Sequence, residues 1–155
     1  MKKKTKTLLA AVAIPLAVGG VSGFLTRNSI EVFRKLKKPP LAPPGWLFPI
    51  VWTILFLAMG TTSWIIWESP RTRKRTEALQ VYGTQLAVNF FWPLFFFLGK
   101  WYKLAFAWLV LLGWLVWICI HKFYDISRNA AYLLIPYLIW LVYAGYLNLF
   151  ISLWN

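Results

Sequence analysis

Few side chains in this sequence are suited to acid–base or metal chemistry, and they are badly placed for it. The four carboxylates, Glu31, Glu68, Glu77 and Asp125, fall in or beside the connections between apolar runs. None stands at the depth where a proton or cation relay through a bilayer requires one, which argues against a proton-coupled exporter. His121 ends an apolar run alone. A single imidazole there can ligate haem iron or act as a base, but its commoner role at an interface is a solvated, snorkelling one. No partners for Ser/His/Asp or Cys/His catalysis, no metal-ligand cluster and no glycine-rich phosphate loop accompany it. Cys119, the one cysteine, lies within an apolar run, so there is no disulfide framework and the redox compartment stays open.

What remains is binding chemistry, carried by aromatic and amide side chains at helical spacing. Tyr82, Gln85, Asn89 and Trp92 follow i, i+3, i+7, i+10 and so share one stripe of a helix. Gln85 and Asn89 are costly in hydrocarbon without partners, which other helices, water or a ligand can supply. A second stripe joins Tyr137, Trp140, Ala144, Leu147 and Asn148, just after Pro136, and a third joins Phe48, Trp52, Leu55, Phe56 and Met59. Each stripe alone is also what core packing produces. Three of them converging would enclose an apolar cavity with a few amides, the usual composition of a small-molecule site.

The elements that must position these stripes are membrane spans. Sixty per cent of the 155 residues are hydrophobic and the mean hydropathy is +0.61, more than a soluble core of this size hides. A span needs roughly twenty helical residues for about 30 Å of hydrocarbon. Five runs are long enough: Thr7 to Thr26, Gly45 to Trp67, Ala78 to Gly99, Leu104 to His121 and Ala130 to Trp154. Short connections make consecutive spans antiparallel neighbours in one domain, 1–155. No repeat is evident, and an odd number of spans argues against a duplicated transporter half. The first run also has the look of a secretory signal peptide, but is read as a span whose Gly19 and Gly23 let another helix approach closely.

The connection at about 27–44 stands apart. Pro39, Pro40, Pro43 and Pro44 favour extended backbone and lead into Trp46 and Trp52, so a stiff basic loop is expected to lie over the cavity as a lid. The formal charge of +13 sits between the apolar runs, at Lys2 to Lys6, Arg27 to Lys38 and Arg71 to Arg75, where cations meet headgroups or set topology; nucleic acid is rejected as a partner on that ground. The distribution favours a cytoplasmic N-terminus in a bacterial plasma membrane, with the five basic residues of the first loop an exception to the rule.

An ordered series of motifs then resembles the TspO/MBR family, the translocator or tryptophan-rich sensory proteins. It comprises the Gly-rich first span, Lys38-Pro39-Pro40 and Pro43-Pro44 before Trp46, Val51-Trp52-Thr53, Met59-Gly60, Gln85-Leu86-Ala87-x-Asn89-x-x-Trp92-Pro93 with Phe95 and Phe96, Pro136-Tyr137-Leu138-x-Trp140 and Leu147-Asn148. The resemblance covers nearly the whole chain. It implies an all-α bundle of five transmembrane helices, commonly a homodimer, that takes porphyrins and isoquinoline or benzodiazepine-type ligands among its helices, with no resident cofactor or metal. Carried over by motif, Trp52 and Trp140 line the pocket, Asn89 adds a polar contact and the proline loop closes over it. The expected ligand-binding set is Pro44, Phe48, Trp52, Phe56, Tyr82, Gln85, Asn89, Trp92, Tyr137, Trp140, Ala144 and Leu147.

One departure concerns the C-terminus: the sequence from Leu147 to Asn155 lacks the tyrosine and cation of the sterol motif proposed for animal members. A tetrapyrrole, flat and apolar, suits the stripes better, with loop cations to meet its propionates. Binding with a role in porphyrin or stress regulation leads. Light-dependent porphyrin breakdown using Trp52 and Trp140 is the enzymatic alternative, and transport of porphyrin or lipid-like ligands the third.

Overall fold

The computed structural model describes residues 2–155, without the side chains of Ile30 and Val32. Every regular element among them is helical: α1 (Lys3–Leu25), a 3-10 turn (Arg27–Ser29) running into the short α2 (Ile30–Lys35), α3 (Leu47–Trp67), α4 (Arg73–Pro93) prolonged by a π-helical turn (Leu94–Leu98), α5 (Tyr102–Tyr124) and α6 (Arg128–Trp154). Five helices, all but α2, are long and apolar enough to cross a bilayer. The chain is an all-α integral membrane protein.

The helices outrun the apolar segments that announce them, because polar residues at the interface extend a helix when its end groups are satisfied. α4 starts at Arg73 rather than Ala78, since the Thr72 hydroxyl accepts from the Arg75 amide at 3.2 Å and Arg73 pairs with Glu77 one turn on at 3.1 Å. Ser127 caps α6 in the same way, accepting from the Ala130 amide at 3.3 Å. The stretch expected to be loop throughout contains α2. Its last carbonyls are met by the Lys38 ammonium, which donates to Phe33 O at 2.9 Å and Arg34 O at 3.2 Å, and Pro39 and Pro40 keep it from continuing.

Around the bundle the order is α1, α3, α6, α5, α4 and back to α1. Consecutive spans are neighbours as expected, but α3 packs more on α6 than on α4. That arrangement brings the aromatic faces of α3, α4 and α6 together. The close approach anticipated for α1 does occur, through a different glycine. A Cβ on Gly60 of α3 would stand 2.4 Å from the Val12 Cα, so the backbones of α1 and α3 meet there, whereas Gly19 makes room for the Phe56 ring and Gly23 faces open space. Hydrogen bonds stitch the ring further. Thr62 Oγ1 donates to Ala130 O at 2.6 Å and Trp108 Nε1 to Val88 O at 2.7 Å, contacts worth about 1 kcal/mol each in a membrane.

Candidate functional site

The α4 stripe divides into two halves with different fates. Toward its N-terminal end, Tyr82 stacks on Phe123 with ring centroids 6.1 Å apart and Gln85 is fully buried. Tyr137 of α6 lies between the two amides: its hydroxyl donates to Gln85 Oε1 at 2.9 Å and accepts from Asn89 Nδ2 at 2.7 Å. Gln85 is thereby spent on helix–helix contact. Asn89 is half spent, for its Oδ1 has no hydrogen-bond partner among the described residues. Farther along, Trp92 Nε1 donates to Asn148 Oδ1 at 3.0 Å, and Asn148 Nδ2 donates on to Tyr102 O at 2.9 Å, which satisfies that corner of α4, α5 and α6.

Beyond Asn89 the helices part around a cavity of about 350 Å³. Its wall includes Phe48, Trp52 and Phe56 of α3, Asn89 and Trp92 of α4, and Ala144 and Leu147 of α6, all expected at a ligand site from sequence. Gln85, Tyr137 and Tyr82 stand off the wall as a buried tier beneath it. Trp140 is set behind Phe48 and Trp52, edge-on to them at 5.9 and 6.5 Å, with its indole N–H buried and without a partner among the described residues. Pro44 is exposed, while its neighbour Gly45 lines the cavity.

Several wall residues carry no periodic signal strong enough to find. Phe96 and Phe97 arrive through the π turn: Pro93 has no N–H for the Asn89 carbonyl, the helix widens, and the Gly99 amide reaches back to Leu94 O at 2.9 Å. Lys100, at φ 53, and a Trp101 amide bond to Phe95 O at 3.0 Å then end it. Pro93 was the available clue. From α1 comes Ser22, and from the connection after it Thr26, Arg27 and Phe33; their polar or loop setting marked them as boundary rather than wall.

The roof is the connection between α1 and α3. Phe33 meets Phe48 edge-on at 5.2 Å and Phe97 at 6.4 Å. The proline segment above is tied to α6: Tyr146 donates to Pro40 O at 3.0 Å, Tyr143 donates to Leu41 O, and Asn155 bonds both the amide and the carbonyl of Lys37 at 3.3 and 3.1 Å. Leu41 holds a left-handed φ of 71 within this strap. The prolines shape the lid, and Phe33 and Gly45 present it to the cavity.

Among the described residues no carboxylate lines the cavity; Glu31 pairs with Arg34 at 3.0 Å outside it. His121 is exposed on α5 against Trp117, and Cys119 is buried away from the wall. Among the described residues no group of three or more His, Cys, Asp or Glu gathers to hold a metal. The wall therefore presents aromatic faces, an amide oxygen, hydroxyls and the Arg27 guanidinium, groups whose chemistry suits holding a guest.

The model of the TspO/MBR family matches residues 11–154. The chain is 34% identical to the tryptophan-rich protein TspO of Chlorobaculum tepidum, over 96% of this chain and 95% of that one. It is 35% identical to the protein of the same name from Archaeoglobus fulgidus, over 96% of each, and 36% identical to the translocator protein of Bos taurus, over 85% of this chain and 80% of that one. With matches of this extent on both counts, the chain belongs to the TspO/MBR family.

Proposed function

We propose that this protein binds flat, largely apolar ligands in the cavity among α1, α3, α4 and α6, tetrapyrroles of the protoporphyrin type foremost. The observation that carries the reading is the enclosure itself: Phe48, Trp52, Phe56 and Trp92 surround a space bordered by one amide oxygen, that of Asn89, left without a protein partner. Bicyclic amides of the isoquinoline or benzodiazepine type suit its enclosed part. A tetrapyrrole is broader, and one side has room for its edge. Gly20, Gly23, Pro49 and Thr53 line the cavity while remaining exposed between α1 and α3, so a macrocycle can project there toward lipid. The setting we propose is a bacterial plasma membrane with the N-terminus in the cytoplasm, as the basic N-terminal segment favours. Porphyrin titration of the detergent-solubilised protein, followed by quenching of tryptophan emission, tests the reading: saturable quenching supports it and its absence removes it.

A second reading is favoured by one feature, the contact of Trp52 with Phe56, Tyr137 and Trp140 at 5.6 to 6.5 Å. An excited porphyrin against Trp52 takes one electron from the indole, and dioxygen accepts it from the reduced pigment as superoxide; the indole radical cation then regains its electron from the pigment, and superoxide adds to the oxidised ring, so that the net change is addition of dioxygen to the pigment. Oxidative breakdown of the bound pigment in light then depends first on Trp52, with Trp140 reached through it. If so, Trp52→Phe at saturating porphyrin abolishes most of the light-dependent loss of pigment colour, and Trp140→Phe has the smaller effect. Parent rates in both variants leave binding alone. The name translocator carried by the bovine relative makes carriage a third reading, for which porphyrin flux in proteoliposomes is the test.

A further inference from the structure

We propose that the cavity selects ligands carrying a carboxylate, and that Arg27 receives it; this rests on the binding reading above and assigns the guest its charge and orientation. The wall is apolar over most of its extent, but its polar members are unevenly spread. Ser22, Thr26 and Arg27 lie together where α1 ends, at i, i+4 and i+5, and all three border the cavity. Arg27 is the one cation among the described wall residues, and no acid borders the cavity to neutralise it. Arg34, by contrast, is already paired with Glu31.

The local geometry holds the guanidinium in place. Its Cζ lies over the Phe24 ring, 3.9 Å from the centroid, and Nη1 donates to Phe24 O at 2.7 Å. Its other N–H groups are unclaimed by protein among the described residues, and a planar fork held by these two contacts is preorganised to meet a carboxylate. Ser22 adds a second donor. It is only 4% exposed, and its hydroxyl has no protein partner among the described residues, although its own carbonyl accepts from Thr26 Oγ1 at 2.9 Å. A buried hydroxyl left free at the edge of a cavity is a group awaiting a guest's oxygen. The negative end of the α1 dipole opposes an anion at this point, so the guanidinium is what makes the pole anion-accepting. A ligand with an apolar body and an acidic end would place the body among Phe48, Trp52 and Trp92 and the acid beneath the roof. A cationic ligand finds no counter-charge here.

The test compares protoporphyrin with its dimethyl ester, which has the same ring and no charge, on the full chain in a neutral detergent. Tryptophan quenching is read for the parent, Arg27→Gln, Arg27→Lys and the control Arg34→Gln. The expected result is tighter binding of the acid than of the ester by the parent, a loss of tenfold or more for the acid alone in Arg27→Gln, and partial retention in Arg27→Lys. Arg34→Gln should leave both affinities within twofold. Equal weakening of acid and ester in Arg27→Gln, or no weakening of the acid, overturns the role of Arg27 while porphyrin binding stands. If neither porphyrin quenches the folded parent protein, the binding reading falls and this inference with it.

Discussion

Asn89 shows how one side chain divides between structure and function. Its Nδ2 braces Tyr137, and its Oδ1, on the cavity side, is the amide acceptor a ligand N–H would meet. Replacing it with Leu removes that acceptor but leaves the Tyr137 hydroxyl its bond to Gln85. The expected outcome is a folded protein that binds porphyrin more weakly by on the order of 1 kcal/mol, about fivefold, in a quenching titration. Unchanged affinity would confine Asn89 to bracing α6. Trp52 is argued at the same scale. Phe there keeps an aromatic face and costs roughly 1 kcal/mol of binding, whereas an electron-donating role is lost outright, so rates measured at saturation separate the two. The interest of these residues was legible from spacing and from the cost of amides in hydrocarbon. Which amide is spent and which is free was not, because i, i+3, i+7 spacing fixes a face and leaves open what stands opposite; only the position of Tyr137 on α6 decides it.

At the scale of elements, the contact between α1 and α3 depends on the missing side chain of Gly60. Leu at this position has to displace the backbone at Val12, and α1 supplies one wall of the cavity. Gly60→Leu is therefore expected to lower the thermal stability of the solubilised protein by several degrees and to weaken ligand binding together with it; Gly23→Leu, facing open space, should leave the stability close to the parent's. The outer face of α4 carries a second prediction. Gly83 and Ala87 are exposed and spaced small-x-x-x-small, a surface on which another helix packs closely. We propose that a second copy of the chain packs there, so that Leu at both positions gives monomer in crosslinking and light scattering; a surviving dimer places the interface elsewhere. The five spans were readable from hydropathy. Their ends were not, since the caps at Thr72 and Ser127 extend helices into charged sequence, and neither was α2, a short helix stabilised at its end by Lys38.

For the whole molecule, the ring order α1, α3, α6, α5, α4 is what turns three aromatic stripes into one enclosure, roofed by a connection that α6 holds through Tyr143, Tyr146 and Asn155. The sequence announced a cavity under a proline loop but not its wall from α1. Ser22, Thr26 and Arg27 read as the polar end of a span, and their position against the cavity follows only from how α1 leans on α3. Seven expected residues reach the cavity; Tyr82, Gln85 and Tyr137 form the tier beneath it, Trp140 stands behind Phe48 and Trp52, and Pro44 is exposed. The central claim, that this enclosure is where a tetrapyrrole binds, is tested most directly by filling it. Ala144 is buried at the wall, and Phe in its place occupies space the macrocycle needs. Porphyrin titrations of the parent and of Ala144→Phe, both verified as helical and monodisperse, should give saturable quenching in the parent and a loss of tenfold or more in the variant. Equal affinity in the two proteins would contradict the account and put the ligand outside the bundle.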